Sequence, residues 1–266
     1  MRRPFIYYII LLTVVLAGCK RTAEAPTQES QEDRHAKQLL QGIWLGADED
    51  DPFFRVKGDT IFYPDSTSLP VYFKVVGDTL ILEGSTVTKY PIVRQSENLF
   101  EFLNQNGETI RLTKSENDDD EVFFENQKPV VLNQNQLIKR DTIVVHDGVR
   151  YHCYVQVNPT TYKVIKPSFN DDGVEVDNIY YDNTIHVAVF QGTNRVYSHD
   201  FYKKDFKNLI PDSFLRQSIL SDMSFLKTDA AGVHYLAQLY VPDSMTSYVV
   251  EVTISFSGSL SMKLAS

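Results

Sequence analysis

VKGDTIFY (residues 56–63) and VVGDTLIL (residues 75–82) carry one pattern twice. In each, Gly-Asp separates one apolar stretch from the next. Glycine takes positive φ at no steric cost, and Gly-Asp between short apolar runs marks a tight hairpin. Further runs of strand length lie on either side: PVYFKVV (70–76), TVTKYPIV (86–93), NLFEFLN (98–104) and ETIRLTK (108–114), the last two joined by Asn106-Gly107. A helical period competes only near Arg34–Leu40. Residues 39–125 therefore predict an antiparallel meander or small barrel.

Beyond it, residues 126–138 (NQKPVVLNQNQLI) are rich in amides, contain Pro129 and predict a linker. Residues 139–266 return to strands. DTIVVHDGVRYHCYVQV (141–157) predicts a hairpin turning at Asp147-Gly148. Strands follow at 162–166, 174–181, 184–190 and 195–201, with breaks expected at Asn158-Pro159, Asn170–Gly173 and Gly192. A helical insertion is expected at about 202–226. There Tyr202, Phe206 and Leu209 fall at helical spacing, and Leu215, Ile219, Met223 and Leu226 form one stripe. Runs at 234–241, 247–258 and 259–265 close the chain. The fold class expected is mainly β: a small meander barrel, then a β-sandwich or curled antiparallel sheet with a helical insertion.

The N-terminus is of another kind. Arg2 and Arg3 precede an apolar run from Phe5 to Ala17 broken only by Thr13. A membrane-spanning helix needs about 20 apolar residues, so this run fits a secretory signal better. Leu16-Ala17-Gly18-Cys19 resembles the lipobox of bacterial lipoproteins. The resemblance implies that residues 1–18 are removed and that Cys19 carries the lipid. Several acyl chains at about 0.8 kcal/mol per buried methylene would anchor it stably. An ordinary cleaved signal is the alternative. Lys20 stands where aspartate would imply inner-membrane retention, so the resemblance places the protein in the outer membrane, facing the periplasm or the cell surface. Residues 19–38 are polar, with few groups to bury, and predict a flexible tether.

Charge and cysteine count narrow the function. The formal net charge is −9, and the two cysteines are Cys19 and Cys153. With Cys19 lipidated, no intrachain disulfide is available. An acidic chain with no basic stripe excludes ordinary nucleic-acid binding, which rests on neutralised phosphates.

Two further resemblances bear on the folded part. Gly42-Ile43-Trp44 at the head of a meander resembles the lipocalin and calycin barrels. It implies that Trp44 plugs the closed end, with an arginine from a late strand, Arg111, packed over it. A lipid or small-ligand cavity would follow, but strands this short favour an interior filled by side chains. KRDTIVVHDGVRYHCYV (139–155) is similar to lipoproteins of unknown function from Bacteroidota.

Candidate chemistry is sparse. Strand alternation puts Cys153 with Tyr151 and Val155, and His152 on the other face. Cys153 therefore predicts a buried thiol rather than a Cys–His dyad. His146 and His152 flank one hairpin but lack a third metal ligand. Calcium is suggested by Asp48–Asp51, by Asp118–Glu121 and by Asn170–Gly173, yet the last lacks the closing glutamate, having Ile179 in its place. Glu175 and Asp177 on one strand would lie about 7 Å apart, within the span of inverting glycosidases. Ten of the fifteen tyrosines follow residue 150, which makes an aromatic contact face a candidate, with Tyr154 and Tyr181 as its markers. The expectation is a lipid-anchored envelope protein that binds a protein or glycan partner without catalysis, cofactor or metal. The alternative is an envelope hydrolase acting on glycan or peptide.

Overall fold

The computed structural model describes residues 31–46, 51–125, 130–133 and 136–265. The lipobox, most of the tether and Asp48–Asp50 lie outside them. Glu32–Ser266 forms one compact unit.

A short helix α1 (Arg34–Leu39) leads into eight strands: β1 (Gly42–Gly46), β2 (Pro52–Lys57), β3 (Thr60–Phe62), β4 (Val71–Val75), β5 (Thr79–Glu83), β6 (Val87–Gln95), β7 (Leu99–Leu103) and β8 (Thr109–Lys114). Each pairs antiparallel with the next, and β8 returns to β1, closing a barrel. Gly58 and Gly77 take φ of +62° and +55° in the two Gly-Asp turns, a conformation side-chain-bearing residues avoid. Alternate positions point inward, so Trp44, Phe54, Val56, Phe73, Tyr90, Phe100, Phe102 and Leu112 fill the interior.

Two four-stranded meanders follow. The first runs β9 (Ile138–His146), β10 (Val149–Phe169), β11 (Glu175–Gln191) and β12 (Asn194–Phe201). The second runs β13 (Ile219–Asp229), β14 (Gly232–Tyr240), β15 (Ser247–Ile254) and β16 (Leu260–Leu264). Their inner faces share one apolar core, in which Val155, Val187, Met223, Tyr235 and Val252 are buried. This is a β-sandwich. Along one side the sheets are stapled by Arg140 on β9, whose guanidinium holds Asp222 on β13 through two hydrogen bonds, one of 2.9 Å.

The expected helical insertion is shorter than predicted. Within residues 202–226 helical structure is confined to a 3₁₀ turn, Lys203–Phe206, and to α2 (Asp212–Gln217); Ile219–Leu226 belongs to β13. The stripe misled because a spacing of four repeats on a strand as well as on a helix. A bulge between Leu220 and Asp222 adds to the confusion, bringing Leu220 and Met223 into one core although they are three apart. Asn158-Pro159 likewise does not break its strand. It falls just beyond the last β9–β10 pair, Ile138↔Val157, where a missing N–H costs no ladder bond on that side, and it is followed by a register slip.

Freed of β9, β10 runs on with β11 as a two-stranded arm that reaches the barrel. Val174 and Val176, just after its tip, are buried in the barrel core, 4% and 6% exposed. The linker residues Val131 and Leu132 lie along the arm, with Val131 bridging to Ile179. Barrel and sandwich are thereby held in one unit.

Candidate functional site

The barrel has two ends, one closed by a helix and the other partly covered by the arm. At the end carrying the β2–β3, β4–β5 and β6–β7 turns, α1 lies across the mouth. Asp33 caps the helix by accepting from the Ala36 N–H at 2.9 Å, and Gln95 ties in the Ala36 carbonyl at 2.6 Å. Trp44 is fully buried beneath it, and its Nε1–H donates to the Leu40 carbonyl at 2.7 Å. The cation over its ring is Lys114, 5.2 Å from the centroid, and its Nζ also donates to the Leu39 carbonyl at 3.0 Å. Burial pushes the Lys114 ammonium below its usual range. Arg111 does not cover Trp44. It lies on the outer face, 3.5 Å from Glu101. The alternation of β8 explains this: Leu112 points inward, Lys114 shares its phase, and Arg111 takes the opposite one.

At the other end the arm enters. The Tyr90 hydroxyl accepts from the Glu175 N–H at 2.8 Å, and Asn104 donates to the Asp172 carbonyl at 2.9 Å. Glu175 accepts from the hydroxyls of Thr88, at 2.8 Å, and Thr86. Asp177 accepts from the Ser85 N–H at 2.6 Å and from the Ser85 hydroxyl. The two carboxylates matching glycosidase spacing are thus latches that bolt the arm to the β5–β6 turn. The space left between them is about 10 Å³, room for one water at most. The interior that a lipocalin would give to a ligand is filled.

The other sequence candidates are dispersed. Cys153 is buried in the sandwich core, where burial pushes its thiol up and the neighbouring Tyr235 hydroxyl pulls the other way. His146 turns to the core side and stacks on Phe256 at 4.2 Å, whereas His152 faces outward to Asp141, so the two do not converge. Asn170 organises its own turn, accepting from the Val174 N–H at 2.9 Å, and Glu121 pairs with the half-buried Arg55. Among the described residues no three His, Cys, Asp or Glu side chains are grouped to hold a metal ion. Tyr154 pairs with Ala188 and Tyr181 with Lys163. Seven ladder positions, about 23 Å along the strand, separate the two tyrosines, so they do not form one patch. The Tyr154 hydroxyl is engaged by Gln156, its neighbour on the same face.

Three further features bring together residues that the sequence reading did not combine. Asp182 and Lys203 form a buried pair at 3.6 Å that ties the 3₁₀ turn to β11, with Lys203 also donating to the Ser218 carbonyl at 2.6 Å. Burial raises the Asp182 pKa and lowers that of Lys203. A cleft of about 580 Å³ flanks the arm tip, lined by Phe53, Tyr63, Asp65, Arg111, Asn170 and Asp171 among others.

The third is a charge network across the outer face of the second sheet. His234 is buried, with Nδ1 2.7 Å from Glu251 and Nε2 2.8 Å from Asp229; Lys227 then pairs with Asp229, and Lys263 with Glu251. Hydrogen bonds from Lys227 and His234 hold Asp229 well below the usual carboxylate range, and those from His234 and Lys263 lower Glu251. A carboxylate depressed in the folded state contributes stability above its unfolded pKa, near 4, and loses it as pH falls through the folded value. The urea midpoint should therefore drop as pH is lowered from 6 to 3. Asp229→Asn with Glu251→Gln should flatten that dependence; an unchanged slope in the double variant would assign the effect elsewhere.

Among the described residues no helix is long and apolar enough to cross a membrane. Residues 117–262 match a family model described as a domain of unknown function, DUF4738, a span that starts just after the barrel and takes in both sheets of the sandwich. No curated protein matches the chain.

Proposed function

We propose that this chain, which belongs to the DUF4738 family, is a lipid-anchored cell-envelope protein that acts as a binding module rather than an enzyme. The filled barrel carries the second half of the reading. One mouth is shut by α1 and the arm tip enters the other, the interior is occupied by the chain's own aromatic residues, and the paired carboxylates Glu175 and Asp177 are spent on joining the arm to the barrel. What such a body offers a partner is its outer surface, and the partner is an envelope protein or glycan. The order of charge, apolar run, small residues and Cys19 supports the anchor. On this reading the protein sits in the outer membrane, on the periplasmic side or the cell surface.

Cys19→Ser tests the anchor. Cells fed an alkyne-tagged fatty acid should label the wild-type chain and not the variant. The variant should leave the membrane fraction or keep its full precursor mass. Equal labelling and equal membrane retention would overturn the lipoprotein reading. Turnover of a glycan or peptide by the purified chain, lost in Glu175→Gln, would overturn the non-catalytic one.

A further inference from the structure

The two long sides of the sandwich differ. On one, Arg140 and Asp222 staple β9 to β13. On the other, β12 and β16 form the edges, and among the described residues β12 pairs only with β11 and β16 only with β15. The edges meet at one end, where Gly258 lies so close to Val196 that a Cβ there would stand 2.5 Å from the Val196 carbonyl oxygen. From that point they diverge into a groove of about 440 Å³.

Its floor is the flank of the sandwich core, with Phe201 fully buried and Met262 partly so, and Leu260 and Leu264 stand exposed in the same phase of β16. Leu260 and Leu264 are 38% and 44% exposed. Edge strands are usually blunted by charge or proline, since an open edge recruits another strand. Here the only charge on β16 is Lys263, which points outward to Glu251. The rim carries two lysines in an acidic chain, Lys204 and Lys207, which make no ion pair among the described residues; the one acidic residue of the lining, Asp205, lies 3.7 Å from His199.

We propose that this groove is a docking site for an extended acidic peptide segment of a partner protein, which adds as a fifth strand along β16. Its alternate apolar side chains would cover Leu260 and Leu264 while its acidic residues meet Lys204 and Lys207. Main-chain hydrogen bonds supply affinity in such strand addition, and alternating side chains supply specificity. The proposal rests on the binding-module reading and names the surface and the partner class for it.

The test uses the purified full-length chain and a panel of labelled ten-residue peptides. All have Val, Ile or Leu at alternate positions, with Glu, Ser or Lys between them. The Glu peptides should bind at least tenfold more tightly than the Lys peptides, more weakly at 0.5 M than at 0.05 M salt. Lys204→Glu with Lys207→Glu should weaken them at least tenfold, and peptide binding should slow amide exchange on residues 260–264. Lys204→Gln with Lys207→Gln, which removes charge without adding repulsion, should give an intermediate loss. Equal binding of Glu and Lys peptides, no binding by any Glu peptide at 1 mM, or protection confined to other strands would overturn the proposal. Concentration-dependent dimerisation lost in Leu260→Lys would also overturn it, since a second copy would then be the occupant. None of these outcomes depends on Cys19, so the anchor stands or falls separately.

Discussion

Val176→Asp should unfold the barrel and the sandwich together. Val176 is nearly fully enclosed in the barrel core, beside Tyr90 and the arm tip. An uncompensated carboxylate there costs about 3–5 kcal/mol, a large part of the 5–15 kcal/mol that holds a typical domain. The chain has one tryptophan, Trp44, so its emission reports the barrel alone, while far-UV circular dichroism reports both halves. In guanidinium the two signals should share one midpoint in the wild type, and Val176→Asp should lower both. Val176→Thr, close in shape, should cost less than the aspartate. A Val176→Asp midpoint equal to wild type would mean that the arm tip does not enter the barrel in solution.

Trp44→Ala should be the most damaging large-to-small change in the chain, at about 3–5 kcal/mol. The indole loses its contact with Phe100, 5.9 Å between ring centroids, and the Lys114 ammonium loses the ring beneath it. The Leu40 carbonyl also loses its donor. Trp44→Phe separates these contributions: it keeps a ring but leaves that carbonyl unpaired, for about 1–3 kcal/mol. Native Trp44 emission should be blue-shifted and poorly quenched by iodide. A solvent-like maximum would put the residue on the surface and remove the plug.

How much of this could be read in the sequence depends on the range of the interaction. The Gly-Asp turns at 58–59 and 77–78 are local, since a residue that must take positive φ announces itself, and the meander follows from them. Cys153 was legible for the same reason, because its neighbours Tyr151 and Val155 set the phase of the strand. Lys114 was legible too: once Leu112 is taken as inward, alternation on ETIRLTK sends Lys114 to Trp44 and Arg111 to solvent. The lipocalin resemblance drew attention to the arginine instead. The arm was not legible. VEVDNIYY is an ordinary alternating strand, and nothing in it says that Val174 and Val176 complete a core built from residues 40–112. Glu175 and Asp177 show the same limit, since spacing alone cannot tell a catalytic pair from two latches. Nor does sequence reveal which sheet edges stay open, because that depends on how two sheets splay, and the β12–β16 groove is a product of that geometry.

The arm's destination also orders events in time. A chain that emerges N-terminus first presents β1 to β8 before Val174 and Val176 exist outside the machinery that delivers them. Until about sixty further residues have followed β8, the barrel has an open apolar mouth at one end. The interval is one of exposure to anything that captures unfinished β structure, and it closes only when the sandwich hands back its hairpin. Segments 42–114 and 149–191 must therefore travel as a pair: a deletion, fusion or tag inserted between β8 and the arm lengthens the vulnerable interval even where the finished fold would tolerate it.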